Sequence, residues 1–455
     1  MEIKDLYQDL KNEQMVEFIA RVRSNRDGKK VSFLVLSDGT TIHDVQVVYK
    51  ADLKNYHDVS RVRVGSILAV EGVMELTPTR DQPFEIKATN IEILDEAIPD
   101  YPLQKKEHSL EFLREIAQLR ARTKTFNAIF RIRSLAAFAI HKFFQQENFV
   151  YVNTPIITSN DAEGAGEEFG VVTYDQNHKP LITDFFNKKA SLTVSGQLNA
   201  EAFAQAFKKV YTFGPTFRAE SSFTSRHASE FWMIEPEVAF NDLSANIDLI
   251  ERMLKFVFND VLINGLAELT FLATVNEPGL VEKIQTLSTS KYVINTYEEV
   301  IEILSQAVAE KKVNFENNKI SFGLDLGTEH ERYLCEVVNQ CPTFVINYPK
   351  EIKAFYMKLN SDQKTVGAVD LLVPGIGELV GGSQREDDYE QLLNRCEALK
   401  INPTDLSWYL DLRRFGYYKS SGFGLGFERL VMYLTGTSNI RDVLPFPRTP
   451  KNLLF

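Results

Sequence analysis

A chain of 455 residues can hold two or three domains, and its 44% hydrophobic and 25% charged residues are ordinary for a soluble globular protein. No apolar run is long enough to span a bilayer, and the opening stretch MEIKDLYQDLKNEQ is too polar and acidic for a signal peptide, so a cytoplasmic protein with no membrane partner is expected. Cys335, Cys341 and Cys396 show no paired spacing, which argues for a reducing compartment and against a zinc knuckle; the net charge of −11 argues against a simple nucleic-acid binder without excluding a local basic face.

Residues 14–100 read as all-β. Val16, Phe18, Ala20 and Val22 alternate with more polar neighbours, SFLVLSDGT ends in an Asp-Gly turn, and strand-like runs follow at 42–49, 67–76 and 84–94. Five strands in under a hundred residues fit a small closed barrel of the oligonucleotide-binding OB type, or a barrel that only packs on its neighbour. Residues 101–125 look like a hinge and lead-in helix after two nearby prolines. Residues 126–148 form an amphipathic helix pattern, and FVYVNTPII reads as a strand with a proline. SNDAEGAGEEFGV is loop-like, and LTVSGQLNAEAF reads as a strand, a turn and a helix start.

The most informative stretch is 213–237, FGPTFRAESSFTSRHASEFWMIEPE. Two strand-like segments, 213–220 and 231–237, flank a polar loop. Side chains two apart share a strand face, so Arg218 aligns with Glu220, and Phe231 with Met233, Glu235 and Glu237. Arginines, carboxylates and an aromatic ring on one antiparallel pair suit an anionic, ring-bearing ligand such as a nucleotide. The alternative, a solvated hairpin, fits poorly with the apolar FWMI run. Pro236 is awkward in a central strand. Residues from 243 to about 312 read as helical scaffold. In VDLLVPGIGELVGGSQR, a Pro-Gly turn lets Asp370 and Glu378 converge from adjacent strands. SSGFGLGFERLVMYLTG has glycines that permit close backbone approach before an apolar helix, and is neither GxGxxG nor a Walker A loop.

FRAE, a loop with Arg-His, and then EF resemble motif 2 of the class II aminoacyl-tRNA synthetases, and the longer string is similar to the asparaginyl members of subgroup IIb. The helix and Pro155 resemble motif 1, the homodimer interface of that family, and SSGFGLGFERL resembles motif 3. The resemblance covers nearly the whole chain. It implies an α+β architecture: an OB-fold anticodon-binding domain at 1–100, a hinge at 101–125, and at 126–455 a catalytic domain on an antiparallel sheet flanked by helices. The implied reaction is ATP-dependent ligation of L-asparagine to tRNA(Asn) through an asparaginyl-adenylate, in a homodimer with Mg2+.

By the same resemblance, Arg218 serves the α-phosphate, Arg226, His227 and Arg429 meet the outer phosphates, Phe231 stacks on adenine and Glu220 reads its amino group. Asp370 and Glu378 would hold magnesium, which takes one or two carboxylates plus phosphate oxygens. Ser195, Gln197 and Glu235 would hold the amino acid's α-amino group, Glu163 would close over it from a mobile loop, and Arg385 would hold its side-chain carbonyl. Glu201 would tell asparagine from aspartate, because a carboxylate accepts from a carboxamide and repels a carboxylate. Aspartyl enzymes carry a lysine where Ala200 stands. Arg26, Phe33 and Gln46 match anticodon contacts, Phe33 as a stacking face, and each is equally readable as an ordinary surface residue. Lys419-Ser420 departs from the usual Pro-His, and Ser221 and Phe223 from the usual asparagines; both bear on loop geometry. Two other readings are an aspartyl or relaxed-specificity synthetase and a paralogue that binds nucleotide or RNA without charging tRNA.

Overall fold

The computed structural model describes residues 1–28, 30–79, 82–159, 168–181 and 185–455. The chain forms two compact units, Met1–Ala128 and Ile129–Phe455.

The first unit is built on β1 (Met15–Arg26), β2 (Val31–Ser37), β3 (Val45–Lys50), β4 (Ile67–Leu76) and β5 (Phe84–Asp95). They close into a barrel in the order β1-β2-β3-β5-β4. The period-two pattern decides which side chains point inward: Val16, Phe18, Ala20 and Val22 of β1 and Leu34 and Leu36 of β2 are buried. A register shift between Val22 and Ser24 lets β1 bend from one partner to the other. The stretch expected as a hinge lies within this unit. Arg23 donates to the Arg122 carbonyl, and Tyr101 packs its ring against Gly65. The prolines at 99 and 102 therefore mark a change of direction in chain that is still packed on the barrel.

The second unit has an eight-stranded sheet. Its strands are β6 (Val150–Tyr151), β7 (Lys209–Phe217), β8 (Glu230–Ala239), β9 (Val293–Thr296), β10 (Thr343–Ile346), β11 (Ala368–Val373), β12 (Gly377–Gln384) and β13 (Ser420–Gly426). Their order is β9-β10-β11-β12-β13-β8-β7-β6. The interior of the sheet is antiparallel, and the two parallel pairings, β9 with β10 and β6 with β7, lie at its ends. The helices used below are α1 (Lys124–Gln146), α2 (Gln197–Phe207), α3 (Leu243–Asn264), α4 (Thr328–Arg332), α5 (Ser407–Arg414) and α6 (Phe427–Thr435). Ile129, Ile132, Ala136, Ala139, Ile140 and Phe143 give α1 its buried stripe.

Pro236 does sit in a central strand, and the ladder makes room for it. Pairing of β8 with β13 runs through Met233↔Gly426 and Ile234↔Leu425, skips residues 235–236, and resumes at Glu237↔Gly422. The missing N–H of proline falls in that gap. Gly422 is needed there, because a Cβ would stand 2.3 Å from Glu237 Oε1 and 2.5 Å from the Pro236 carbonyl oxygen.

Candidate active site

The face of β8, β13 and β12 carries a cavity of about 290 Å³. Of the described residues expected at the site or on the ligand-bearing strand face, Glu201 and Glu237 do not line it. Glu163 lies outside the described residues.

The hairpin β7–β8 pairs Thr216 with Phe231 and Gly214 with Met233, and the ladder extends to a bond from Arg218 N to the Ser229 carbonyl, 3.0 Å. This register brings the Arg218 guanidinium carbon to 5.3 Å from the centroid of Phe231. Glu220, Arg226 and His227 follow on the loop and also face the cavity. Arg226 donates to the Ile376 carbonyl and to Thr328 Oγ1. Burial, then the neighbouring Arg429 charge, lowers the pKa of Arg226, and the same two causes lower that of His227. His227 Nδ1 lies 3.1 Å from Ser222 Oγ and 2.5 Å from Thr224 Oγ1. Arg429, on the first turn of α6, donates to the Glu378 carbonyl at 3.1 Å, with its guanidinium 3.6 Å from the Glu378 carboxylate. The adjacent Glu428, which also lines the cavity, holds Arg133 at 2.7 Å and the Trp232 N–H at 2.9 Å, which ties α6 to α1 and β8.

Asp370 and Glu378 come together as their two strands require. A Cβ at Gly381 would stand 3.1 Å from Glu378 Oε1 and 3.5 Å from Asp370 Oδ1, so both carboxylates flank that glycine. Asp370 accepts from Lys353 Nζ at 2.5 Å and from the Tyr348 hydroxyl. Burial raises the Asp370 pKa while Lys353 opposes it. Two convergent oxygen donors that already attract an ammonium group fit a hard divalent cation such as magnesium.

At the other end of the cavity, Glu235 is buried and accepts from Ser195 Oγ and from the Gly196 N–H at 3.0 Å. Burial raises its pKa against those bonds. The Gln197 Nε2 group is buried without a hydrogen-bond partner among the described residues, a donor left open where a ligand would bind. Arg385 is buried and gives both prongs of its fork to Glu237, through Nη2 and through Nε at 3.1 Å, while Nη1 donates to Ser383 Oγ at 2.6 Å. Burial works against the Arg385 cation, but Glu237 outweighs it and its pKa is raised. Burial pushes the Glu237 carboxyl up to about 7, with Arg385 pulling the other way.

Glu201 is placed differently from the expectation of a direct reader of the amide. It is fully buried on α2 and absent from the cavity wall. Its Oε1 accepts from Arg413 Nη2 at 2.5 Å and Tyr417 OH at 2.6 Å, and its Oε2 from Tyr409 OH at 2.6 Å. Its acceptors are thus occupied by protein partners.

On the barrel, Arg26 pairs with Phe33 in register, and its guanidinium carbon lies 5.4 Å from the ring centroid. Phe33 and Gln46 both project outward, Phe33 between inward Leu34 and Ser32, Gln46 between Val45 and Val47. Gln46 Nε2 donates to Glu85 Oε1 at 2.9 Å. The three residues share one outer face.

Lys353, Glu237, Glu331 and Arg413 were not singled out from the sequence as site residues. Glu237 shares the parity of Glu235 on β8, which was a usable signal. For the other three no local pattern identifies the partner, which stands 17 residues from Lys353, 47 from Glu331 and 212 from Arg413.

The chain matches two family models: tRNA synthetases class II (D, K and N) over residues 109–450, and an OB-fold nucleic acid binding domain over residues 16–94. It is 65% identical over 457 aligned residues to a protein of Mesoplasma florum called asparagine–tRNA ligase, which covers 100% of both chains. A protein of the same name from Ureaplasma urealyticum is 52% identical, covering 97% of this chain and 96% of that one. Among solved structures, the asparaginyl-tRNA synthetase of Pyrococcus horikoshii complexed with asparaginyl-adenylate superposes with a TM-score of 0.87 at 31% identity, covering 100% of this chain and 99% of that one. With its OB barrel and its arginine-lined cavity on an antiparallel sheet, the chain belongs to the class II tRNA synthetases of the D, K and N group.

Proposed function

We propose that the chain ligates L-asparagine to tRNA(Asn) with ATP, through an asparaginyl-adenylate, as a cytoplasmic homodimer using magnesium. The observation that carries this reading is one cavity in which Arg218, Arg226 and Arg429 converge beside Asp370 and Glu378 at one end, with Glu235, Gln197 and Arg385 at the other. The names of the full-length relatives support the choice of amino acid and of tRNA.

The amino acid's carboxylate attacks the α-phosphorus of ATP and pyrophosphate leaves. A terminal adenosine hydroxyl of the tRNA then attacks the adenylate's acyl carbon, losing its proton as the acyl–phosphate bond breaks and AMP leaves. No protein nucleophile is needed; the enzyme supplies position and positive charge where phosphoryl oxygens gain negative charge. Arg218 serves the α-phosphate, and Arg226, His227 and Arg429 serve the outer phosphates. Asp370 and Glu378 would hold magnesium, which neutralises charge on bound triphosphate. Phe231 and Glu220 meet the adenine, and Glu235 with Ser195 and Gln197 receives the α-ammonium group.

Preference for asparagine follows from charge balance. Arg385 is already neutralised by Glu237, and Arg413 by Glu201. Ala200, buried on α2, brings no further cation. The side-chain end of the cavity therefore has hydrogen-bond donors but no spare positive charge for aspartate's carboxylate. Glu201 acts here by fixing charge and shape rather than by touching the ligand. On the barrel, Arg26, Phe33 and Gln46 face the anticodon.

ATP–pyrophosphate exchange with asparagine and aspartate side by side, followed by charging of total tRNA with the acceptor identified, tests the reading. Exchange driven by asparagine alone and charging of tRNA(Asn) is the expected result; equal exchange with aspartate would overturn the specificity. Arg218→Ala should lower exchange by about 10²–10³-fold or more at unchanged melting temperature.

A further inference from the structure

We propose that Glu331 is a positioning residue for the triphosphate end of the site: it fixes the turn joining β11 to β12 and, through that turn, the Glu378 carboxylate and the Arg226 guanidinium. The inference rests on the reading that this end of the cavity takes ATP.

The turn, residues 374–376, has one backbone bond of its own, from the Ile376 N–H to the Val373 carbonyl at 3.3 Å. Gly375 and Gly377 both adopt positive φ, 84° and 85°, and neither carries a side chain to anchor the loop. Further backbone groups of the turn are held from outside. Glu331, on α4, accepts from the Glu378 N–H at 3.1 Å. Glu336, one helical turn further along, accepts from the Gly375 N–H at 2.7 Å and is braced by Arg332 Nε at 2.7 Å. Arg226 completes the grip from the opposite side by donating to the Ile376 carbonyl and to Thr328 of the same helix.

Glu331 sits where these ties meet. A Cβ placed on Gly377 would stand 2.4 Å from Glu331 Oε2 and 3.5 Å from Arg226 Nη1. The carboxylate and the guanidinium thus both stand beside the space a side chain at Gly377 would take. Glu331 also stands close enough to feel Glu378 and Asp370, and burial followed by the Glu378 charge pushes its carboxyl up to about 7. It acts through the Glu378 backbone and through a cation that lines the cavity. The amino-acid end, with Glu235, Gln197 and Arg385, shares none of these bonds.

Glu331→Ala removes the tie, and Glu331→Gln keeps an oxygen for the Glu378 N–H. In ATP–pyrophosphate exchange, Glu331→Ala should raise both the KM for ATP and the magnesium concentration for half-maximal rate by about tenfold, the scale expected when reacting groups are slightly misplaced. The KM for asparagine should stay at the wild-type value, and Glu331→Gln should recover most of the loss. ATP and magnesium dependences that match wild type in Glu331→Ala would overturn the proposal. So would a loss spread evenly over ATP, magnesium and asparagine, which is what a merely structural brace would produce. Calorimetric titration of each variant with ATP and magnesium separates this from the underlying reading. An unchanged Kd in Glu331→Ala overturns the positioning role, whereas a wild-type chain that binds ATP yet catalyses no exchange overturns the proposed reaction.

Discussion

At the residue scale, the proposed charge-balance basis of selectivity places its weight on Glu237, which does not line the cavity. It cancels the charge of Arg385 through two bonds, and both side chains are buried, so the cancellation is little screened by solvent. Glu237→Gln keeps the shape and one acceptor while leaving the guanidinium uncompensated. The aspartate-to-asparagine ratio of kcat/KM in exchange should then rise by roughly tenfold or more; an unchanged ratio would remove charge balance as the basis of selectivity. His227 supports a second prediction. Burial and Arg429 hold its imidazole below the ordinary pKa, so it is neutral near neutral pH in the free enzyme. A triphosphate would favour the charged form and raise that pKa. Near pH 6.5 ATP binding should therefore take up part of a proton, seen by calorimetry in buffers of different ionisation enthalpy. His227→Asn should abolish that uptake, and equal uptake in both proteins would deny the histidine its phosphate contact.

Packing of α5 against α2 depends, at the scale of elements, on one buried ion pair with its tyrosines. Arg413 and Glu201 are both fully buried, and Tyr409 and Tyr417 complete the carboxylate's shell. Removing one member leaves the other charge without compensation. Arg413→Met should cost about 3–5 kcal/mol in denaturant unfolding, and Glu201→Met in the same chain should restore much of it. Additive losses would mean the pair is not the link. This network also marks the limit of what the sequence makes legible. The hairpin and the approach of Asp370 to Glu378 can be read because period-two alternation and a Pro-Gly turn are local signals. The barrel strands can be read for the same reason. Glu201 stands one helical turn from Gln197, and local geometry alone suggests a shared wall; its fate is decided by Arg413, 212 residues away. Lys353 and Glu331 are hidden likewise, since their partners at 370 and 378 meet them only through tertiary packing. Pro236 misleads because the gap that accommodates it lies in the pairing with β13, a strand nearly two hundred residues further on.

The sheet, viewed over the whole molecule, is open at both ends, and the end at β6 exposes apolar side chains. β6 is its last strand, pairs on one side only, and is short and exposed. Val150 and Tyr151 on it, Ile156 and Ile157 just beyond, and Phe138 on α1, 72% exposed, give this region uncovered apolar side chains. Tyr151 and α1 are neighbours, since its ring lies 5.3 Å from that of His141 on the same helix as Phe138. An unpaired edge with apolar flanks is a template for association, and soluble chains otherwise blunt such edges with charge. The segment coincides with the stretch that resembles motif 1, where the proposed homodimer would have its interface. Sedimentation at micromolar concentration should give a dimer. Lysine at both Val150 and Ile157 should give a folded monomer, because each new charge would have to be buried without a partner. A wild-type monomer at those concentrations, or a dimer that survives both lysines, would place the interface elsewhere or remove it.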